Sequence, residues 1–402
     1  MTNKTIRFFE IWPGSLLCFL LTIIRKIAAF FSFASAGQQA SRKIVFVKFI
    51  EQGALVLHHN SFKEAAKRYG RENIYLVSFL SNKPLIEMLD AFDEPNRIFI
   101  DERSFFSFTY SFFSSAIIIR LAGIDSLIDL EFFSRATAIF SYLSGTRNRV
   151  GYYRFDGGQN YRGDLFTHRL SYSHYLSVSE SSWSMLDCLS QNVADLPALQ
   201  PISFPDHIDY QFVPTDSDFL HLQHLLHEDI RAKKFIVINP SFRDVLPLRA
   251  WPAERYEELI KQLSAAFHNP VFVFTGRADE FGVTEEFLRR LNNIQAVNLC
   301  GKTKLRDIFT LYTCSEILIT SDSGPGHFAS VTNIPAIVMF GPETPVLYAP
   351  KAPNIHLLYA QLPCSPCYNV YNNRMSPCKN NLCMKAISVA EVSNLAARIM
   401  RK

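Results

Sequence analysis

The stretch Asp322-Ser323-Gly324-Pro325-Gly326-His327 holds the residue types that chemistry on a phosphate ester requires. It follows the apolar run Ile317-Leu318-Ile319-Thr320, which reads as a buried strand, and it leads into an apolar helix starting at about His327. A strand that empties into a glycine-rich turn at a helix N-terminus offers backbone N–H groups and the positive end of a helix dipole, a combination that binds phosphate. The carboxylate of Asp322 does not serve a phosphate; it suits a sugar hydroxyl or a metal ion. Phosphate together with hydroxyls describes a nucleotide-sugar. His327 either donates to a phosphate or caps the turn.

Two further clusters have ligand-like spacing. Cys364-x2-Cys367 followed by Cys378-x4-Cys383 supplies four thiols at a spacing suited to a structural, tetrahedral zinc site; disulfides and free thiols are the competing readings. The intervening loop carries Asn372, Asn373 and Arg374, which read as a pinned surface loop or as contacts to an acceptor. His221, His224 and His227 recur every third residue on an expected helix, but the i, i+4 pair of a metal face is absent, so they read as a solvated face.

The elements that must position these residues alternate. Lys43 to Phe49 reads as a strand, 54–69 as a helix, Ile74 to Phe79 as a strand, Ser126 to Leu130 as a strand, Ser134 to Leu143 as a helix, and Arg149-Val150-Gly151 as a strand start. Residues 151–175 read as a loop. Pro197, Pro201, Pro205 and Pro214 mark a linker, after which Phe235 to Pro240, a helix at 253–266, Val271 to Phe274 and a helix at 280–291 repeat the pattern. Strand-helix alternation predicts α/β units with parallel sheets, and ligands of such sheets bind at the carboxyl ends of strands. The expected molecule has two Rossmann-like lobes, 41–200 and 201–402, with an active-site cleft between them.

With 402 residues, 48% apolar and 19% charged, the chain is long enough for two such cores. A net charge of +4, with scattered basic residues, argues against nucleic acid as partner. Residues 1–40 stand apart. Ser15 to Ile24 and Ile27 to Phe33 are apolar but split by Arg25-Lys26. This pattern reads as a helix lying in a membrane interface, contacting it through residues 6–33, on a protein of the cytoplasm associated peripherally with the inner membrane. A secretory signal ending at Ala34-Ser35-Ala36 is the competing reading. The uncharged run Ser104 to Ile119, with six Phe or Tyr, reads as a core helix or as a surface for lipid.

The order of four segments resembles glycosyltransferase family 9, the heptosyltransferase-like enzymes of lipopolysaccharide assembly. Asp322 to His327 is similar to the family's Asp-Ser/Thr-Gly-Pro-x-His signature, and Gly341-Pro342 with Thr344-Pro345 to its Phe-Gly-Pro-Thr-x-Pro continuation. Asn239-Pro240 with Arg249-Ala250-Trp251-Pro252 resembles its Asn-Pro…Lys-x-Trp-Pro segment, and Thr275-Gly276 its Thr-Gly turn. The resemblance implies a GT-B fold and inverting transfer without an obligatory metal. It implies a heptose-like sugar, from ADP-heptose or a similar nucleotide-sugar, and a lipopolysaccharide or other lipid-linked acceptor. It implies that Arg249 contacts the donor phosphate, that Ser323, Gly324, Pro325, Gly326 and His327 surround it with Asn239 and Gly276 nearby, and that Asp322 binds sugar hydroxyls and acts in catalysis. The sequence departs from the family at the expected base: the first strand-turn reads Glu51-Gln52-Gly53-Ala54, with Ala54 where the family has aspartate. Glu51 is the replacement expected, with Asp129 or Glu131 as alternatives. A catalytically silent nucleotide-sugar-binding or scaffold protein on the same fold is the other reading.

Overall fold

The computed structural model describes residues 10, 12–31, 41–155, 160–199, 203–205, 207–227, 233–242, 246–268, 270–370 and 376–401. The chain divides into two compact units, Met1–Pro205 and Asp206–Lys402. The first contains six strands: β1 (Ile44–Val47), β2 (Ile74–Phe79), β3 (Arg97–Ile100), β4 (Ser126–Asp129), β5 (Asn148–Tyr152) and β6 (His168–Leu170). They form one sheet in the order β3-β2-β1-β4-β5-β6, with every pairing parallel. The second unit contains β7 (Phe235–Asn239), β8 (Val271–Phe274), β9 (Ala296–Asn298), β10 (Ile317–Ser321), β11 (Ala336–Phe340) and β12 (Ile355–Tyr359). Its sheet has the order β12-β11-β10-β7-β8-β9, again all parallel.

Helices cover both faces of a parallel sheet, so its central strands lose contact with water on both sides and need continuous apolar runs. β1, β7, β8, β10 and β11 are buried at every residue. In the second unit Ile236, Ile238, Phe272, Phe274, Ile319 and Met339 pack with the helix Ala253–Ala266 and with Val392 and Leu395 of the C-terminal helix Val389–Met400. In each sheet the strand order reverses once: β1 lies beside β4, and β7 beside β10. Chains leaving neighbouring strands at such a reversal diverge to opposite faces and leave a crevice at the carboxyl edge.

Several boundaries differ from the sequence reading. The expected helix at 54–69 is two, Gln52–Leu57 and His59–Tyr69. The helix after β10 is Gly324–Ala329, starting three residues before His327, because Pro325 fits a first turn that has no N–H partner to lose. Residues 151–175 are not only loop: β6 lies within them. The run beginning at Ser104 is a helix, Phe105–Leu121, with Phe112, Ser115, Ala116 and Ile119 buried while Phe106, Tyr110, Phe113, Ile117 and Leu121 face outward. It is therefore core on one side only. The Ala34-Ser35-Ala36 segment, Asn372, Asn373 and Arg374 lie outside the described residues.

The apolar N-terminal segment forms the helix Pro13–Phe31, long and apolar enough to cross a bilayer by length and composition. It is also seated on the first unit. Glu10 accepts from the backbone N–H of Arg135 (2.8 Å) and from the Ser134 hydroxyl (2.6 Å), capping the helix Arg135–Leu143. Thr22 Oγ1 accepts from the Asp164 N–H at 2.8 Å, and Arg25 pairs with Asp164. Cys18 packs with Ala138, Leu165 and Phe166. The opposite side exposes Leu16, Leu17, Phe19, Leu20, Ile23, Ile24 and Ile27.

Gly163 makes this seat possible. Its φ is +69°, and a Cβ there would lie 2.6 Å from the Cys18 carbonyl oxygen. Gly163→Ala should therefore combine left-handed strain with a clash and cost about 1–3 kcal/mol. Thermal unfolding checks this; an unchanged melting temperature would mean that the helix is not seated there.

A candidate donor site and a candidate base

In the second unit, the reversal sits at β7 and β10, and each strand delivers one charged residue to it. After β7 the chain runs to a single 3-10 turn, Pro247–Arg249; after β10 it reaches Asp322. The Arg249 guanidinium donates through Nη1 to the Asp322 carbonyl oxygen at 2.9 Å and lies 3.9 Å from Asp322 Oδ2. Its Nη2 lies 3.6 Å from Glu343 Oε2, just beyond the end of β11. Asp322 and Glu343 are both buried, and among the described residues Oδ2 of Asp322 accepts no hydrogen bond. A buried carboxylate oxygen without a donor leaves a strong acceptor unsatisfied, which is costly unless a ligand hydroxyl fills it.

The signature turn divides its labour. Ser323 donates its hydroxyl inward to the Ser321 carbonyl (2.9 Å), and the Gly326 N–H donates to the Ser323 carbonyl (3.1 Å). Pro325 has no N–H to offer, so these residues do not form the uniform row of N–H donors that the sequence suggests. Gly326 is needed for packing: a Cβ there would sit 3.2 Å from Val338. At Gly324 a Cβ would meet Phe328 at an ordinary contact distance of 3.6 Å, so packing does not require glycine there.

Asn239 and Gly276 brace the site from behind. The Asn239 amide donates to the Thr275 carbonyl at 2.7 Å and its oxygen accepts from Ser241, which ties the ends of β7 and β8 together. Gly276 admits Glu280, whose Oε2 would lie 2.8 Å from a Cβ and instead caps the Arg277 N–H. His327 has no partner at Nδ1.

The four cysteines expected to bind zinc do not form a metal set. Among the described residues no group of three or more His, Cys, Asp or Glu side chains is placed to hold a metal ion. None of Cys364, Cys367, Cys378 and Cys383 is joined in a disulfide, so the disulfide reading is not realised either. Cys383 is drawn into the apolar core with Met384, whereas Cys364 stays exposed. Ligand-like spacing in sequence did not translate into a common centre.

In the first unit, the reversal at β1 and β4 also gathers charge. Lys48, at the end of β1, is fully buried, 3.0 Å from Glu131 Oε2 and 3.4 Å from Glu51 Oε2. Glu131 also accepts from the N–H groups of Phe49 (2.8 Å) and Ile50 (2.9 Å). Asp129 pairs with the buried Arg162 and accepts from Thr137. Both alternatives to Glu51 are thus committed to holding the strand ends. Glu51 itself has a left-handed backbone, φ 68°, at the start of the helix Gln52–Leu57, and about a third of its side chain is exposed. A non-glycine residue held there is strained, which is common where a side chain must be aimed. Ala54 is buried in the first turn of that helix.

Sequence reasoning missed Lys48 and Glu343. Glu343 standing where the family continuation has threonine was the available signal for it; a lysine ending an apolar strand gave none for its burial.

The fold is of the GT-B type, built from two Rossmann-like units. Among solved structures, ADP-heptose lps heptosyltransferase II of Escherichia coli matches with a TM-score of 0.66 and 18% identity, covering 89% of this chain and 98% of that one. A family 9 glycosyl transferase from Veillonella parvula matches with a TM-score of 0.70 and 16% identity, covering 92% and 99%. In sequence, lipooligosaccharide heptosyltransferase 2 of Campylobacter jejuni is 26% identical over 174 residues, 42% of this chain and 52% of that protein. The chain spans about half the length of the curated relatives it matches most strongly. Residues 203–377 match the family model of glycosyltransferase family 9 (heptosyltransferase). Those residues lie almost wholly in the second unit, so the similarity to the heptosyltransferases of that family is carried there.

Burial lowers the pKa of His327 from 6.5 to about 4, with Asp322 opposing the shift and Arg249 adding to it. Burial, then Arg149, lowers His168 in the first unit to about 4. Both are neutral in the fold, so between about pH 6.5 and 4 the unfolded chain binds more protons than the native one. Stability should fall as pH drops through that window. Urea unfolding across it checks the sign, and His168→Gln should flatten part of the slope.

Proposed function

We propose that this protein transfers a heptose-like sugar, with inversion, from ADP-heptose or a similar nucleotide-sugar to a lipopolysaccharide or other lipid-linked acceptor. The observation that carries the reading is the pairing of Arg249 with an unsatisfied buried carboxylate oxygen on Asp322 at the strand-order reversal of the second unit. Transfer breaks a sugar–phosphate bond. Negative charge then builds on the departing diphosphate and positive charge on the sugar carbon. Arg249 and the backbone of the turn at Gly324 stabilise the former, while Asp322 binds the sugar's hydroxyls and stabilises the latter. The acceptor hydroxyl must lose a proton as it attacks, and Glu51 takes it. Arg249 stands where the family has lysine, which adds a second, planar N–H donor toward the phosphates.

The peripheral position at the inner membrane, on the cytoplasmic side, belongs to the same reading. The outward side of Pro13–Phe31 and that of Phe105–Leu121 both present large apolar residues, and both helices pack beside Arg135–Leu143. Because Glu10, Thr22 and Arg25 hold the first helix to the unit, it suits lying in the interface rather than crossing the bilayer.

Arg249→Ala and Asp322→Asn should each lower transfer about 100-fold or more, the scale seen for one charge-stabilising group. Glu51→Gln should lower it by about 100- to 10,000-fold, with donor affinity within about twofold. Assays with ADP-heptose and a lipid A–core extract check this. Donor binding without turnover in the wild type would instead support the silent binding protein that Ala54 suggests. Leu17→Ser, Leu20→Ser and Ile24→Ser combined should release the protein from sedimenting anionic phospholipid vesicles, with the melting temperature retained.

A further inference from the structure

The cysteine-bearing segment packs against the Arg249 turn. We infer that residues 364–370 and 376–387 form the mount of the Arg249 guanidinium, and that Tyr368 and Asn381 are its positioning residues; this rests on Arg249 being the donor-phosphate contact. Arg249 belongs to a single 3-10 turn with no regular element around it. The Asn381 amide donates to the Ala250 carbonyl at 2.8 Å and to the Leu248 carbonyl at 3.3 Å, gripping the backbone on both sides of Arg249. One residue further, the Trp251 indole N–H donates to the Ile387 carbonyl at 3.0 Å.

The guanidinium end is held from the other half of the segment. The N–H groups of Cys367 and Tyr368 both donate to the Pro342 carbonyl at 3.0 Å. This places the buried Tyr368 ring with its centroid 6.0 Å from the Arg249 guanidinium carbon. Gly341, next to Pro342, is closed over by the same segment: a Cβ there would lie 2.5 Å from Met384 Sδ and 3.1 Å from Cys383 Sγ. The segment therefore clasps both the Arg249 turn and the turn after β11 that carries Glu343.

An arginine side chain has many rotamers, and fixing one on binding weakens a complex. A ring under the guanidinium and a pinned backbone remove that disorder beforehand. Glu343 and Asp322 alone would fix the charge only from one side, and a diphosphate competes with them for it.

The test is isothermal titration of the full chain with ADP in a double-mutant cycle. Tyr368→Leu should weaken ADP binding about tenfold, as expected for a partly desolvated cation–π contact, and Asn381→Ala by a similar factor. In an Arg249→Ala background neither change should add more than about twofold, because the interaction partner is already gone. Tyr368→Phe, which keeps the ring, should restore binding. Equal losses in both backgrounds would show a general structural defect and overturn the proposal. So would unchanged affinity in Tyr368→Leu and Asn381→Ala while Arg249→Ala binds poorly. If Arg249→Ala itself binds ADP like the wild type, the donor reading fails, and the mount with it.

Discussion

In a parallel sheet each strand must be reached by a right-handed crossover, and covering both faces with helices requires the order along the sheet to reverse. At the reversal two adjacent strands release their chains in opposite directions, and the carboxyl edge opens. Both sheets of this protein obey that constraint, at β1 beside β4 and at β7 beside β10. Everything polar that matters collects at these two places. The remainder of each unit consists of apolar strands and covering helices that keep the edge fixed.

The two edges use charge differently. In the second unit one guanidinium lies near two buried carboxylates, one of which keeps an unsatisfied oxygen. That excess of acceptors is a poor arrangement for stability and a good one for binding hydroxyls beside phosphate. In the first unit a fully buried ammonium is balanced by Glu131, which is itself tied to two backbone N–H groups, and Glu51 is the member left partly in water. Burying Lys48 without Glu131 would cost several kcal/mol, so Glu131 has a structural task that frees Glu51 for another.

The sequence was most legible where burial on both faces forced unbroken apolar runs. β8 and the helix Ala253–Ala266 match their expected ranges, and β7 and β10 differ by one residue. β3, β6, β9 and β12 escaped notice because they are the edge strands, where partial exposure admits polar residues and erases the pattern. The site was legible as residue types but not as bonds. The resemblance placed Asn239 near the donor, and the sequence could not show that its amide donates to the Thr275 carbonyl. The cysteines looked like a metal set because spacing is visible and burial is not; Cys383 went to the core. Tyr368 gave no signal at all, since its partner Arg249 lies over a hundred positions away.

Gly163 has a consequence for how relatives of this chain are compared. Apolar N-terminal stretches are commonly trimmed before alignment, as leader or tail. Here the backbone slot that receives the helix lies about 140 residues downstream of it, at an internal glycine whose left-handed backbone and contact with the Cys18 carbonyl both exclude a side chain. Whether a relative carries the same docked helix can therefore be asked of its interior, even when its first residues have been mispredicted or cut away. A glycine at that position, followed by an acidic residue like Asp164, is the footprint the missing helix would leave.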